Sequence, residues 1–380
     1  MCYNTHVRKT FLYRLYPTAK QRHMMNQTLE ECRWLYNRLL EERKLAWEAG
    51  GASVSLYDQH KRLVPLKAER PSLETVHSQV LQNVALRIDL ALKAFFRRVR
   101  AGEEPGYPRF RGAGRYDSFT FPQAPSGCKL ERNQLHLSKI GAVQVVLHRR
   151  LEGIPKTICI RRSATGKWYA AFSCEWEPSP LPPEEGVVGI DMGLATFAAL
   201  SDGTTIENPR FFRREEKTLA WAQRRLSKEA KGTVKRQKRR KVVGRVHERI
   251  ANRRRDFAHQ HSRRIVNHFQ VIAVEDLAVN RMVHNHCVAK SIMDAAWSQF
   301  VACLSYKAEN AGRRFVAVNP AYTTQDCSGC GHRQKMSLST RIFDCSCCGL
   351  SIHRDLNASR NILALGLQSL PAGRDRSPWL

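Results

Sequence analysis

Apolar positions change their period along the chain, and the changes divide it. Lys9–Tyr16 (KTFLYRLY) alternates as a strand does, and Pro17 ends it. Thr18 and Gln21 then form a capping box, followed at helical spacing by Met25, Leu29, Cys32, Tyr36 and Leu39. Gly50 and Gly51 stop this helix. Pro71 and Ser72 open a second helix, with Val76, Val80, Val84, Ile88 and Phe95 as its buried stripe and Gly102 as its end. From Asp117 to Trp176 the period shortens to that of strands: SFTFP, VQVVLH, KTICIRR and KWYAAFSCEW, with turns at Asn133, Gly141 and Thr165–Gly166. The pattern is that of a small antiparallel barrel, in which Trp168, Tyr169 and Phe172 are core or strand-face residues rather than a nucleotide platform. Pro178, Pro180, Pro182 and Pro183 mark a linker and a domain boundary.

Beyond the linker, the apolar run starting at Val187 ends in Asp191, flanked by Gly189 and Gly193. TFAAL and the turn Ser201–Asp202–Gly203 give a second strand and a hairpin. Val271–Val274 reads as a buried strand ending in Glu275, Ser291–Gly312 as a helix, and RFVAVNP as a short strand. Asp355 stands at the mouth of a last helix whose apolar face is Leu356, Ala358, Ile362, Leu363 and Leu365. A carboxylate in that position is either a helix N-cap or a metal ligand.

Composition narrows the class. The 380 residues are enough for two or three domains with real cores, and a hydrophobic fraction of 42% makes the chain globular. Sixty-three Lys and Arg against 34 acidic residues leave a formal net charge of +29. Self-repulsion of that size points to a polyanionic partner, nucleic acid before a membrane surface, since no segment approaches 18 uncharged apolar residues. Residues 210–264 alone hold 21 Lys or Arg and 5 Asp or Glu, a surplus of 21 − 5 = 16. Leu219, Trp221, Leu226, Val242, Val246, Ile250 and Phe257 run through them, so a helical hairpin with broad cationic faces is expected there. Arg239, Arg240, Arg253 and Arg254 are its candidate nucleic-acid contacts. Gly106–Gly112 (GYPRFRG) interleaves aromatics with arginines and adds Tyr107, Arg109, Phe110 and Arg111 as candidates for stacking bases and gripping phosphate. Met1–Thr10 has no apolar core of a signal peptide, and twelve cysteines in such a chain read as reduced thiols and metal ligands, so a cytoplasmic location is expected.

Four of those cysteines form two knuckles. Cys327 and Cys330 make one CxxC, Cys345 and Cys348 a second, and Gly331 and Gly349 follow directly. Two tight turns each aim two thiolates at one ion, and four sulfurs in a tetrahedron suit a structural Zn2+ with no open position. The spacing admits Cys347 in place of Cys348, but the CxxCG match on both sides favours Cys348. Three acids, Asp191, Glu275 and Asp355, each sit at the end or mouth of a regular element. Two Mg2+ ions about 3.5–4 Å apart require three or four carboxylates for in-line phosphodiester hydrolysis.

With these residues assembled, the chain resembles the TnpB family of transposon-encoded RNA-guided DNA endonucleases, related to the type V CRISPR effectors. The stretches that carry the resemblance are GIDMGLATFA, IAVEDL, CSGCG with FDCSCCG, and HRDLNASRNI. They resemble three RuvC motifs and the zinc ribbon that interrupts the nuclease domain before the last of them; His353 stands where many relatives carry Asp. The resemblance implies a multidomain α+β and α/β chain: an RNase H-like (RuvC) nuclease domain with an inserted zinc ribbon, preceded by a β-barrel wedge domain carrying an inserted helical recognition domain. The implied order is the wedge barrel's first strand at 1–17, the helical recognition domain at 18–112 and the rest of the barrel at 113–183. The nuclease domain follows at 184–322 and 352–367 around a ribbon at 323–351, with a flexible tail at 368–380. It further implies that Asp191, Glu275 and Asp355 hold two catalytic Mg2+, that a guide RNA from the transposon end pairs with double-stranded target DNA, and that the protein reads a short adjacent motif before cutting. A transposase acting on element ends and a catalytically silent RNA-guided regulator are the alternatives. The intact acid set and the ribbon between the second and third acids speak against both.

Overall fold

The computed structural model describes residues 7–337 and 340–370. The chain divides into two compact units, residues 1–177 and 178–380.

The first unit runs β1 (Val7–Tyr16), α1 (Ala19–Gly50), α2 (Leu56–Glu69), a 3-10 turn (Pro71–Thr75), α3 (Ser78–Arg100), β2 (Ser118–Phe121), β3 (Cys128–Glu131), β4 (Gln134–Leu137), β5 (Gly141–Val146), β6 (Ile154–Arg162) and β7 (Trp168–Trp176). Its seven strands form one antiparallel sheet in the order β2-β6-β7-β1-β5-β4-β3. The chain's first strand lies at the centre, paired with β7 from Val7 to Leu15 and with β5 from Arg14 to Tyr16. Alternation sends Phe11, Tyr13 and Leu15 into a core with Phe119, Phe121, Ile158, Ile160, Trp168 and Phe172. The Thr18–Gln21 capping box starts α1 as expected, and Gly51 ends it at φ 68.

Two stretches differ from their sequence reading. Residues 52–70 carry α2, which opens on its own capping box, Ser55 with Asp58, and buries Leu63 and Leu66. Pro65 inside it hides the helix from sequence, because proline deletes a ladder N–H and packing has to make up for it. Pro71 opens only the 3-10 turn, and the long helix begins at Ser78.

The second unit runs β8 (Val187–Met192), β9 (Thr196–Leu200), β10 (Thr205–Glu207), α4 (Phe211–Ser227), α5 (Val234–His268), β11 (Val271–Glu275), α6 (Val279–Met282), α7 (His286–Ala295), α8 (Trp297–Asn310), β12 (Arg314–Val318), β13 (Ile342–Asp344), β14 (Ser351–His353) and α9 (Arg354–Gln368). Its main sheet is mixed, in the order β10-β9-β8-β11-β12. β10, β9 and β8 pair antiparallel, whereas β8, β11 and β12 run parallel. One face packs Val188, Ile190, Ile272 and Val274 against α5 (Ala258, Ile265, Val266) and α8 (Phe300, Leu304, Ala308). The other face receives α9. The helix expected over 291–312 is broken at Ala296, whose φ of 55 separates α7 from α8. The buried carboxylate of Asp294, just before the break, accepts from the backbone N–H of Phe212 and Arg213 and from the Arg254 guanidinium, tying α7 to α4 and α5. Of the apolar face expected of α9, Ala358 and Ile362 are buried, whereas Leu365 is exposed and Gly366 is buried in its stead. Of the expected tail, residues 371–380 lie outside the described residues.

Candidate active site and metal centre

The acids meet because small residues let α9 lie close on the sheet. A Cβ on Gly189 of β8 would fall 2.1 Å from the Ser359 carbonyl oxygen, and one on Gly366 of α9 would fall 2.5 Å from the Ala273 Cβ. Gly189 and Ala273 therefore face α9. Side chains alternate along strands, so Asp191 and Glu275, two positions further on, face the same way. Ala273 is paired with Gly189 in the parallel register of β11 and β8, which sets the two acids on neighbouring strands. Asp355 comes to this end of the sheet in the first turn of α9. All three are buried, with exposures of 8%, 7% and 8%.

The cap reading of Asp355 falls to a neighbour. His353 is the N-cap, its Nδ1 accepting from the Asp355 N–H at 3.3 Å, which leaves the Asp355 carboxylate available. Burial, reinforced by the negative charges of Glu275 and Asp355, pushes the Asp191 carboxyl up to about 8, against the opposing pull of Arg354. Burial also raises the Glu275 carboxyl, and the Thr323 hydroxyl opposes this by donating to Glu275 Oε1 at 2.6 Å. The Arg354 guanidinium stands 3.5 Å from Asp355 Oδ1. A buried acid whose proton affinity is raised by two neighbouring carboxylates is in an environment that a divalent cation relieves.

The four knuckle cysteines are gathered. Cys327 Sγ lies 3.6 Å from Cys348 Sγ, and Cys330 Sγ lies 3.6 Å from Cys345 Sγ. All four sulfurs fall within 4.8 Å of one another, and among the described residues this is the one set of three or more Cys, His, Asp or Glu ligand atoms so close. Gly331 and Gly349, at φ 75 and 74, close the two turns, and Cys347 is exposed outside the set. The backbone N–H groups of Cys348 and Cys347 lower the Cys345 thiol, whereas the neighbouring sulfurs push the Cys330 and Cys348 thiols up, so the set holds its protons unevenly without an ion. A short β13–β14 hairpin and the buried Phe343 support the knuckles.

Two asparagines of α9 couple the ribbon to the acids, and nothing in their spacing announces it. Asn357 accepts from the Ser328 N–H and donates to the Asp326 carbonyl, while Asn361 donates to the carbonyls of Thr323 and Asp326. Thr323 holds Glu275 from the same segment.

The candidate nucleic-acid residues occupy varied settings. Arg109 and Arg240 are exposed. Arg239 approaches Glu229 at 3.7 Å, and Arg253 shares Glu215 with Arg249. Arg254 is committed to the buried Asp294. Tyr107 packs edge-on against Phe95, Phe110 is half exposed, and the Arg111 backbone is held by Asn37. Among the described residues no helix is long and apolar enough to cross a membrane.

The architecture defines the class. A solved Cas12f1, from a Cas12f1–sgRNA–target DNA complex, matches with a TM-score of 0.57 at 13% identity, over 94% of this chain and 98% of that one. The mini-RNA-guided endonuclease CRISPR-Cas_phi3 matches with a TM-score of 0.53 at 10% identity, over 97% and 93%. The chain thus shares its fold with these two solved proteins. Sequence carries the assignment further. Relatives named "Putative RNA-guided DNA endonuclease" from Streptomyces pristinaespiralis and "Putative RNA-guided DNA endonuclease InsQ" from Escherichia coli K12 are 35% and 34% identical. They match over 97% and 96% of this chain and 91% and 94% of their own. The chain belongs to this family, the TnpB family. Family profiles described as "Probable transposase", "Cas12f1-like, TNB domain" and "Helix-turn-helix domain" match residues 171–286, 297–362 and 1–52. In the last span the described residues form one strand and one long helix.

Proposed function

We propose that the protein is an RNA-guided, metal-dependent DNA endonuclease whose cutting site is built from Asp191, Glu275 and Asp355. The observation that carries this reading is the grouping of three buried acids, two on one sheet face and one in the first turn of α9, with Asp191 pushed up to about 8. The mixed sheet, a hairpin whose first strand continues into two parallel neighbours, supports the RNase H-like reading of residues 184–322 and 352–367. The four clustered thiols fit one structural Zn2+, and the acids fit Mg2+ by donor type. When bound, two such ions supply a water activated for attack and stabilisation of the leaving 3′ oxygen. The chain's own part is to hold the carboxylates on neighbouring strands, to fix Glu275 through Thr323, and to set the Arg354 cation beside Asp355. Guide RNA and target DNA are partners that the charge of +29 and the relatives' names support. Readout of a target-adjacent motif and origin of the guide from a transposon end belong to the same reading.

The decisive experiment is purification from cells followed by RNA sequencing of what co-purifies, then cleavage of DNA matching that RNA with Mg2+ and with EDTA. A discrete RNA and Mg2+-dependent cutting are expected. Cutting in EDTA would refute the metal mechanism, and absence of any bound RNA would refute the guided one. For the α4–α5 surface, reversing Arg239, Arg240 and Lys241 to Glu is expected to weaken RNA binding across many sequences and to flatten its salt dependence, because fewer counterions are released. An unchanged slope would assign that face to solvent.

A further inference from the structure

The first unit contains a cavity of about 330 Å³ lined by Arg33, Trp34, Asn37, Arg38, Glu41 and Phe110. Five of these come from α1 and one from the GYPRFRG loop. The loop is fixed by its backbone. Asn37 grips Arg111 from both sides, its Oδ1 accepting from the Arg111 N–H at 2.8 Å and its Nδ2 donating to the Arg111 carbonyl at 3.0 Å. Arg33 donates to the same carbonyl at 3.2 Å. The Arg111 guanidinium lies 5.7 Å from the Tyr36 ring, and Tyr107 packs on Phe95 at 5.4 Å. The loop is therefore held on either side of Phe110, at Tyr107 and Arg111, while Phe110 itself is 52% exposed. Phe110 thus lines the cavity from a clamped backbone with much of its surface left for a ligand to cover.

Trp34, which packs partly on the core of the unit, is also fixed. The Arg70 guanidinium sits 4.7 Å from the centre of the Trp34 ring and is held there by two hydrogen bonds to the buried Glu31, at 2.6 and 3.1 Å. The exposed Phe110 ring and the part of Trp34 that lines the cavity offer stacking to a flat heterocycle, and Arg33, Arg38 and Glu41, with Arg38 3.5 Å from Glu41, line the same cavity with charge. We propose that this cavity receives one unpaired nucleobase of the bound nucleic acid, stacked against Trp34 and Phe110. The inference rests on the reading of the protein as a nucleic-acid-guided nuclease and adds a specific stacking site to it.

The test uses the full chain and short labelled single strands of mixed sequence, one RNA and one DNA, titrated by fluorescence anisotropy over a salt series. Phe110→Ala changes an exposed side chain and leaves the clamp intact. It is expected to lower affinity about tenfold, the loss of one stacked base, without changing the salt slope. Phe110→Trp is expected to restore it. An effect on RNA alone assigns the base to the guide, and an effect on DNA alone assigns it to the target. Wild-type affinity of Phe110→Ala for both strands overturns the proposal, as does a loss that flattens the salt slope, which belongs to a phosphate contact. Cleavage by the wild type is measured alongside. Cutting with an inert Phe110→Ala defeats only the stacking site, whereas a Phe110→Ala effect in a protein that neither cuts nor carries RNA defeats only the nuclease reading.

Discussion

The tetrathiolate and the three carboxylates are both candidate metal sites, and they are assembled in opposite ways. The thiols lie within 22 residues of one another, on two turns that their own glycines close, and at the surface as often as not. The acids span 165 residues, come from two strands and a helix, and are buried. A local site requires only its spacing and an ion, so ligation free energy is most of its folding free energy. A site made by topology has to be folded first, and the rest of the unit has to hold its like charges together in the ion's absence. The first should fail when its metal leaves. The second should keep its shape and lose its chemistry.

The sharpest way to break this contrast is to remove one carboxylate. Asp191→Ala, Glu275→Ala and Asp355→Ala are each expected to reduce cleavage by orders of magnitude while guide and target binding persist, because pairing does not use the acids. The losses should not add in double mutants, since the three act as one unit. Paired binding and cleavage assays check this, and near-wild-type cutting by any one mutant removes that residue from the site.

Next in size is the ribbon. Cys330→Ser is expected to lower zinc content from about one per chain towards zero and to unfold the segment around β13 and β14. Because Asn357 and Asn361 hold residues 323–328, the damage should reach Glu275 and lower cleavage as well. Metal analysis and hydrogen exchange across 323–353 read the two effects separately. Exchange rates unchanged in a zinc-free mutant would show that the metal is not what folds the ribbon.

The same contrast explains which parts were legible in sequence. A hairpin, a capping box and two CxxCG turns are local, and their residues declare them. The α2 helix was hidden by Pro65, and the break at Ala296 by a residue with no turn preference, because packing overrides propensity at both. The acids could be picked out as strand and helix ends, but their meeting depends on Gly189 and Gly366 admitting α9 to the sheet. Thr323, Asn357 and Asn361 were unreadable, since short polar residues near helices and loops ordinarily serve caps and turns.

A third prediction concerns protons. The Asp191 carboxyl is raised in the folded protein, so its ionised form costs stability there and not in the unfolded chain. The metal-free protein should be most stable at low pH with respect to this group and lose that contribution as pH rises through about 8. Mg2+ has to displace the same proton, so its affinity should rise up to about tenfold per pH unit towards pH 8 and level off above. Mg2+ titrations of thermal stability at several pH values check both signs. A pH-independent Mg2+ affinity between pH 6 and 8 would mean that Asp191 is already ionised.

The smallest effect is expected from the contact that joins the two regions. Thr323 belongs to the segment leading into the first knuckle, and its hydroxyl donates to Glu275 Oε1 at 2.6 Å while also approaching the Pro320 carbonyl at 3.1 Å. Thr323→Val keeps the shape and deletes the donor, leaving a buried carboxylate oxygen without it. The Glu275 carboxyl should then rise further above its ordinary value, so the proton competes better with the metal. A partner hydrogen-bonded to a metal ligand typically contributes about 10–100-fold in affinity or activity, and the lower end is expected here because the carboxylate itself remains. Thr323→Val should therefore weaken Mg2+ binding about tenfold at neutral pH, with the loss shrinking as pH rises, and Thr323→Ser should restore it. Zinc content should be unchanged throughout, which separates the lost hydrogen bond from a damaged ribbon. Equal weakening at every pH would show that Thr323 positions Glu275 without influencing its proton, and no weakening would uncouple the ribbon from the acids.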